Sequence, residues 1–232
     1  WLISKSYGVE RRGNIDLSRA IDYTAGLPPS AESPTTTHVT AADADRNVAT
    51  LTQTINEGFG ANVMVPGTGL LLNNNMALFD PHPGHPNSVG PNRRMVSSNA
   101  PTIISKDGQP YLALGTPGGV RIFPTVTQAI VNIIDHGMTL QEAVEAPRVW
   151  TQGQNLEVES EVPESVQNAL TERGHAVQTV RAVAGGMNGI QYDDEGLITG
   201  ACCWRADGSP SALSGGPARA GVRFRPTADR RS

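Results

Sequence analysis

The sequence predicts an α+β domain, and three observations carry that expectation. Two pairs of alternating, β-branched segments occupy residues 36–56 and 101–114, each pair joined by a short polar turn. From residue 126 the apolar spacing changes to that of a helix. Near residue 189 the alternation returns. Strands, then helices, then strands describe packed layers rather than a regular βαβ succession.

Each element has its own signal. Residues 1 to about 35 show no strong periodicity, and Leu27-Pro-Pro-Ser-Ala-Glu-Ser-Pro34 reads as an exposed linker. Residues 36–42 and 47–56 are Thr/Val-rich and alternate around Asp43-Ala-Asp-Arg46, a hairpin signal. Pro101-Thr-Ile-Ile-Ser105, Lys106-Asp-Gly-Gln109 and Tyr111-Leu-Ala-Leu114 repeat the pattern as strand, turn and strand. Val126, Ile130, Ile133 and Ile134 then fall at helical spacing, with Gly137 as the stop. Thr139 and Glu142 form a capping box for a short helix that ends before Pro147. Residues 163–173, closed by Gly174, make a third helix. The last strands fall at 189–192 and 197–204, around Asp193-Asp-Glu-Gly196. There is no internal repeat and no sign of a second domain.

Composition narrows the function classes. With 232 residues, 38% hydrophobic and 17% charged, the chain can bury a core of ordinary size. A formal charge of −4 gives no footprint for nucleic acid or an anionic membrane surface. No apolar run approaches the roughly 20 residues of a membrane-spanning helix. The chain begins at Trp1 without a signal-peptide pattern, and its natural start is expected to lie upstream, which leaves a periplasmic, secreted or cytoplasmic location open. Cys202 and Cys203 are adjacent, a spacing that strains a disulfide, so one of them is expected to be a buried structural thiol.

Two segments carry chemistry. Thr36-Thr37-His38 begins a strand-like run, and Gly115-Thr116-Pro117-Gly118-Gly119 follows some eighty residues later. A threonine hydroxyl is a poor nucleophile without a neighbouring base, and the most economical base is its own α-amino group, freed when the chain is cut just before it. A Pro-Gly-Gly turn offers two backbone N–H groups to a developing oxyanion. It is no phosphate loop, because no Lys-Ser/Thr follows the glycines.

These segments sit in a longer pattern. Residues 32–60, Gly69-Leu-Leu-Leu-Asn-Asn-Asn-Met76, Gly90-Pro-Asn-Arg-Arg-Met-Val-Ser-Ser-Asn-Ala-Pro-Thr102, Leu114-Gly-Thr-Pro-Gly-Gly-Val-Arg-Ile122, Asn132-Ile-Ile-Asp-His-Gly-Met138 and Glu142-Ala-Val-Glu-Ala-Pro-Arg148 closely resemble, in order, the small subunit of the γ-glutamyltransferases, which are N-terminal-nucleophile hydrolases. Residues 1–33 resemble the tail of that family's large subunit. The resemblance implies a four-layer αββα sandwich, here partial. It divides the chain into residues 1–35, the large-subunit tail with the cleavage linker, and residues 36–232, the small-subunit catalytic domain.

Motif positions then imply roles. Thr36 matches the nucleophile, released by autocatalytic cleavage of the Thr35–Thr36 bond, and Thr54 matches the second threonine that hydrogen-bonds it. Asn56 and Asn75 match substrate-binding positions, Ser97 and Ser98 the paired serines that hold the substrate carboxylate. Two adjacent side chains of an extended strand cannot both face one site, so either a kinked turn is expected at the serines or one of the two acts through its backbone N–H. Gly118 and Gly119 match the oxyanion hole. No cofactor is implied. The partners implied are a small amide substrate, water or an amine acceptor, and the large subunit of the same precursor. That subunit would supply the arginine clamping the substrate carboxylate, since Arg93, Arg94 and Arg121 have other counterparts.

Three departures shape the functional expectation. The carboxylate that grips the α-ammonium of a γ-glutamyl group falls on Leu78, in Asn75-Met-Ala-Leu-Phe79. Residues 79–91 are shorter than the lid-bearing region of some relatives, and His82 and His85 within them are read as loop residues rather than metal ligands, because Pro83 and Gly84 preclude a helix. Arg46 stands where the family has Gly, which costs about 1 kcal/mol if φ is positive there. The departures point to the lidless branch that includes cephalosporin acylases: acyl transfer or amide hydrolysis through an acyl-enzyme ester, on γ-glutamyl or related glutaryl-type amides. The alternative is a non-catalytic, unprocessed precursor or fragment.

Overall fold

The computed structural model describes residues 5–13, 15–20, 35–43 and 45–212. The linker expected at 27–34 lies outside the described residues. Helix α1 (Lys5–Arg12) comes first, followed by the antiparallel hairpin β1 (Thr36–Ala42) and β2 (Val48–Thr54). Its register pairs Thr36 with Thr54 and His38 with Thr52. The even-numbered residues of both strands therefore share one face, and they are the less exposed ones.

A second sheet has the order β3-β4-β8-β9, built from β3 (Thr102–Lys106), β4 (Gln109–Gly115), β8 (Asn188–Tyr192) and β9 (Ile198–Cys202), all antiparallel. Asp107 and Gly108, with φ of 52° and 77°, make the tight turn between β3 and β4. The inner face of the hairpin packs on this sheet, β1 against β8 and β2 against β4, and the Asn188 side-chain amide donates to His38 O at 2.7 Å.

Helix α2 (Ile122–Ile134) and helix α3 (Leu140–Glu145) cover the other face of that sheet. Val126, Ala129 and Ile133 recur every three to four residues and are buried with Leu140, Ala143 and Val144 against Leu112 and Leu114. Burying each large apolar side chain contributes roughly 1.5–3 kcal/mol, and these few residues form the main core. Gly137, at φ 68°, turns the chain out of α2, and the Thr139–Glu142 capping box is formed in both directions. The described residues thus give two packed sheets with a helical layer on one side, three layers of the expected sandwich.

A third sheet orders β5 (Val149–Thr151), β6 (Leu156–Glu159) and β7 (Val177–Val180). Helix α4 (Glu164–Glu172) connects β6 to its parallel neighbour β7, and Gly174 ends the helix with φ 93°. Arg46 does adopt φ 63°, and its guanidinium stacks 4.7 Å from the Tyr192 ring centroid, a contact that offsets part of the backbone cost. Cys203 is buried beside the half-buried Cys202, and both are free thiols.

Candidate active site

The end of β2 and the start of β1 meet at the floor of an open cleft of about 1010 Å³. Thr36, Thr54, Asn56, Asn75, Ser97, Ser98, Gly118 and Gly119 all line it, although they come from five separate stretches of chain. Because Thr36 and Thr54 are register partners on the hairpin's inner face, their hydroxyls hydrogen-bond at 3.0 Å. The Asn56 N–H donates to Thr54 Oγ1 at 2.8 Å. With that lone pair occupied, the Thr54 hydroxyl can turn its own proton toward Thr36 Oγ1 when that oxygen becomes electron-rich. Asn56 leaves the strand with φ 74°, and its carbonyl accepts the Thr35 hydroxyl at 2.5 Å, which ties down the residue preceding Thr36.

One wall is a loop system held by asparagines. Asn74 N–H donates to Ile55 O, and Asn74 Oδ1 accepts the Glu57 N–H at 3.1 Å, fastening the 73–78 segment to the end of β2. A single 3₁₀ turn (Asn75–Leu78) follows. Asn75 Oδ1 is shielded from solvent and accepts no hydrogen bond, so it presents an acceptor that a ligand donor can satisfy. Asn87 bridges two loop segments of the wall: its amide donates to Leu78 O at 2.7 Å, and its Oδ1 accepts the Val96 N–H at 3.0 Å. Ser97 and Ser98 follow in irregular chain, where Ser97 Oγ accepts the Asn99 N–H at 3.3 Å and closes a local turn. The kink lets both serines reach the cleft. Leu78 lines the same wall with an apolar side chain.

Asp80 and His82 stand on this wall, and Asp80 accepts Nδ1 contacts from both His85 and His82. The His85 hydrogen bond, followed by the His82 backbone N–H, holds the Asp80 carboxyl down to about 2. Among the described residues no group of three or more His, Cys, Asp or Glu side chains is arranged to hold a metal ion. Likewise no described helix is long and apolar enough to cross a membrane.

The opposite wall begins with the glycine turn. Gly118 has φ 135° and Gly119 φ 58°, and a Cβ on Gly118 would stand 2.5 Å from Ala184 Cβ, so glycine is required there on both counts. The Gly118 carbonyl accepts the Arg121 N–H at 3.1 Å, starting a 3₁₀ turn (Gly119–Arg121) that runs into α2. Several cleft residues here were not singled out from the sequence. Phe123 and Trp150 present aromatic surface, and the Arg121 guanidinium lies 4.1 Å from the Trp150 ring centroid. Arg121 is committed to Glu157 through bonds of 2.8 and 2.6 Å, so it is no spare clamp for a substrate carboxylate. No local pattern links Arg121 to Glu157, which lie 36 residues apart.

Comparison with known proteins bears on the family. The gamma-glutamyltranspeptidase family model matches residues 1–213. The acylase ACY 1 proenzyme of Pseudomonas sp. (strain SE83) is 56% identical over 223 residues, 96% of this chain and 40% of that protein. The glutathione hydrolase proenzyme of Bacillus subtilis (strain 168) is 42% identical over 161 residues, 69% of this chain and 27% of that protein. The solved cephalosporin acylase from Bacillus halodurans superposes with a TM-score of 0.82 at 33% identity, over 92% of this chain and 39% of that one. The chain therefore spans about two-fifths of the length of the acylase relatives it matches.

Proposed function

The chain belongs to the gamma-glutamyltranspeptidase family, and from that premise we propose that it carries the catalytic part of an N-terminal-nucleophile amidase acting on glutaryl-type side chains. The convergence of the Thr36–Thr54 hydroxyl pair and the Gly118–Gly119 turn on one cleft is the observation that carries this reading. The relatives' names, proenzymes of an acylase and a glutathione hydrolase, support amide cleavage by a processed precursor, whichever acyl group it takes.

The mechanism has two stages. While the Thr35–Thr36 bond is intact, the Thr36 nitrogen is an amide and cannot serve as a base. Attack of the Thr36 hydroxyl on the Thr35 carbonyl breaks the C–N bond, passes the proton to nitrogen and leaves an ester, which water hydrolyses to a Thr35 carboxylate and a free Thr36 amine. That amine then takes the Thr36 hydroxyl proton as the oxygen attacks the substrate amide. The tetrahedral oxyanion is met by the Gly118 and Gly119 N–H groups, each such donor contributing about 3 kcal/mol to transition-state stabilisation. The leaving amine takes the proton, and water or an amine resolves the acyl-threonine ester.

Residues 1–35 are read as the tail of the large subunit with the cleavage linker, and 36–232 as the catalytic small subunit. The large subunit of the same precursor supplies the remaining carboxylate clamp. Asn56, Asn75, Ser97 and Ser98 hold the acyl group, while Leu78 replaces a charged contact for an α-ammonium by apolar surface. A buried charge pair of that kind contributes roughly 2–5 kcal/mol by truncation, so the site favours acyl groups without the ammonium. The test compares a glutaryl anilide with a γ-glutamyl anilide on the processed, assembled enzyme. A kcat/KM at least tenfold higher for the glutaryl compound is expected. The reverse preference would contradict the substrate assignment.

A further inference from the structure

The Gly118 N–H can serve an oxyanion only if its peptide plane is turned the right way, and the structure shows what turns it. The Pro117 carbonyl belongs to the same peptide unit as the Gly118 N–H, and in a trans peptide the two point in opposite directions. That carbonyl accepts two hydrogen bonds, from Thr116 Oγ1 at 2.9 Å and from the Gly185 N–H at 2.9 Å. The Thr116 donor lies on the buried side, at 0% exposure, whereas Gly185 is half-buried at the cleft's edge. With the carbonyl held on the buried Thr116 hydroxyl, the N–H is turned to the opposite side of the peptide, away from that side chain, on a residue that lines the cleft.

The anchor is itself fixed. Thr116 Oγ1 also lies 3.0 Å from Gly185 O, an oxygen that accepts Arg148 Nη1 at 3.0 Å. Arg148 Nη1 further donates to Val183 O at 3.1 Å, and the Val183 N–H donates to Glu159 Oε1 at 2.7 Å. Residues 183–185 are thereby held as a rigid backstop, with Ala184 at φ 62° pressed against Gly118.

We propose that Thr116 is a positioning residue for the reaction, setting the orientation of the Pro117–Gly118 peptide and hence the aim of the Gly118 N–H. The inference rests on the reading of Thr36 and Gly118 given above. A donor pre-aimed in this way stabilises charge that develops in the transition state and little in the ground state, so its loss appears in kcat rather than KM.

Thr116→Val tests this with little change of volume or β-branching. Each affected carbonyl keeps another donor, Gly185 N–H for Pro117 O and Arg148 for Gly185 O, so no acceptor is orphaned and the fold is expected to survive. In the processed, assembled enzyme with a glutaryl anilide, kcat should fall about tenfold or more with KM within twofold, acylation and deacylation slowing together. Thr116→Ser, which restores the hydroxyl, should return kcat to within about threefold of the parent. If the valine variant does not fold, Thr116→Ala is read in the same way. Parental kcat in the valine variant, a loss confined to KM or to Tm, or a serine variant as slow as valine would overturn the inference. A parent that hydrolyses no amide, or an equally active Thr36→Ala variant, would sink the underlying reading and this inference with it.

Discussion

His38 and Gly115 meet where the two sheets pack: a Cβ built on Gly115 would stand 2.2 Å from His38 Cε1 and 2.6 Å from each ring nitrogen. His38 is two residues beyond Thr36 on β1, and Gly115 is three residues before Gly118 at the end of β4. The contact therefore sets the spacing between candidate nucleophile and oxyanion turn. Gly115→Ala should force the strands apart, cost about 1–3 kcal/mol of stability and lower kcat/KM at least tenfold. Thermal unfolding with amide-hydrolysis kinetics checks it, and an unchanged kcat/KM would show that the spacing is set elsewhere.

His38 also predicts a pH dependence of stability. Its ring nitrogens lie 2.8 Å from Thr52 Oγ1 and 3.1 and 3.0 Å from Thr40 and Thr50 Oγ1. Burial lowers its pKa to about 4 from an ordinary 6.5. On acidification the unfolded chain takes up this proton first, so the stability is fully present above about pH 6.5 and is lost as the pH falls toward 4. Asp80 acts in a lower window: its depressed carboxyl contributes above about 3.8 and is lost toward 2. Urea midpoints measured between pH 7 and pH 4.5 should fall, and His38→Gln should flatten that slope. An identical slope in the variant would contradict the assignment to His38.

The sequence made the hairpin, the β3–β4 pair, α2, α3 and α4 legible because each carries a local signal. Alternation marks the strands, Asp107-Gly108 the turn, and Thr139 with Glu142 the cap. The final strands were equally plain, though β9 stops at Cys202 rather than at 204. The β5–β6–β7 sheet was not read. Val149–Thr151 is too short for a period to show, and β6 and β7 pair only because α4 returns the chain between them. Helix α1 also escaped, since Gly8 and the polar residues around it give no apolar stripe. Motif positions located the candidate site residues, but their supports, Asn87, Thr116 and Arg148, act through partners fixed only by the tertiary fold.

Leu78→Asp should install the missing charge on the Asn75–Leu78 turn and raise kcat/KM for a γ-glutamyl anilide tenfold or more relative to a glutaryl anilide. No gain in that ratio would remove Leu78 as the determinant of acyl specificity.

Glu159 supports the site from below. It is fully buried, accepts the Arg148 and Val183 N–H groups at 2.9 and 2.7 Å, and pairs with Arg205, whose side chain is 1% exposed. Burial also lowers the Arg148 pKa to about 10, still protonated at neutral pH. Glu159→Gln leaves two buried guanidinium groups without a counter-charge and should cost about 3–5 kcal/mol in urea unfolding. A loss below 1 kcal/mol would mean that water or another group compensates them.

The proposed mechanism makes Thr36 a nucleophile whose own amine becomes its base. Intact mass of the purified protein over time, beside a Thr36→Ala control, tests it most directly. Two fragments are expected, one ending at Thr35 and one beginning at Thr36, with the control uncut. A parent that stays whole, or a control that splits at the same bond, would contradict it.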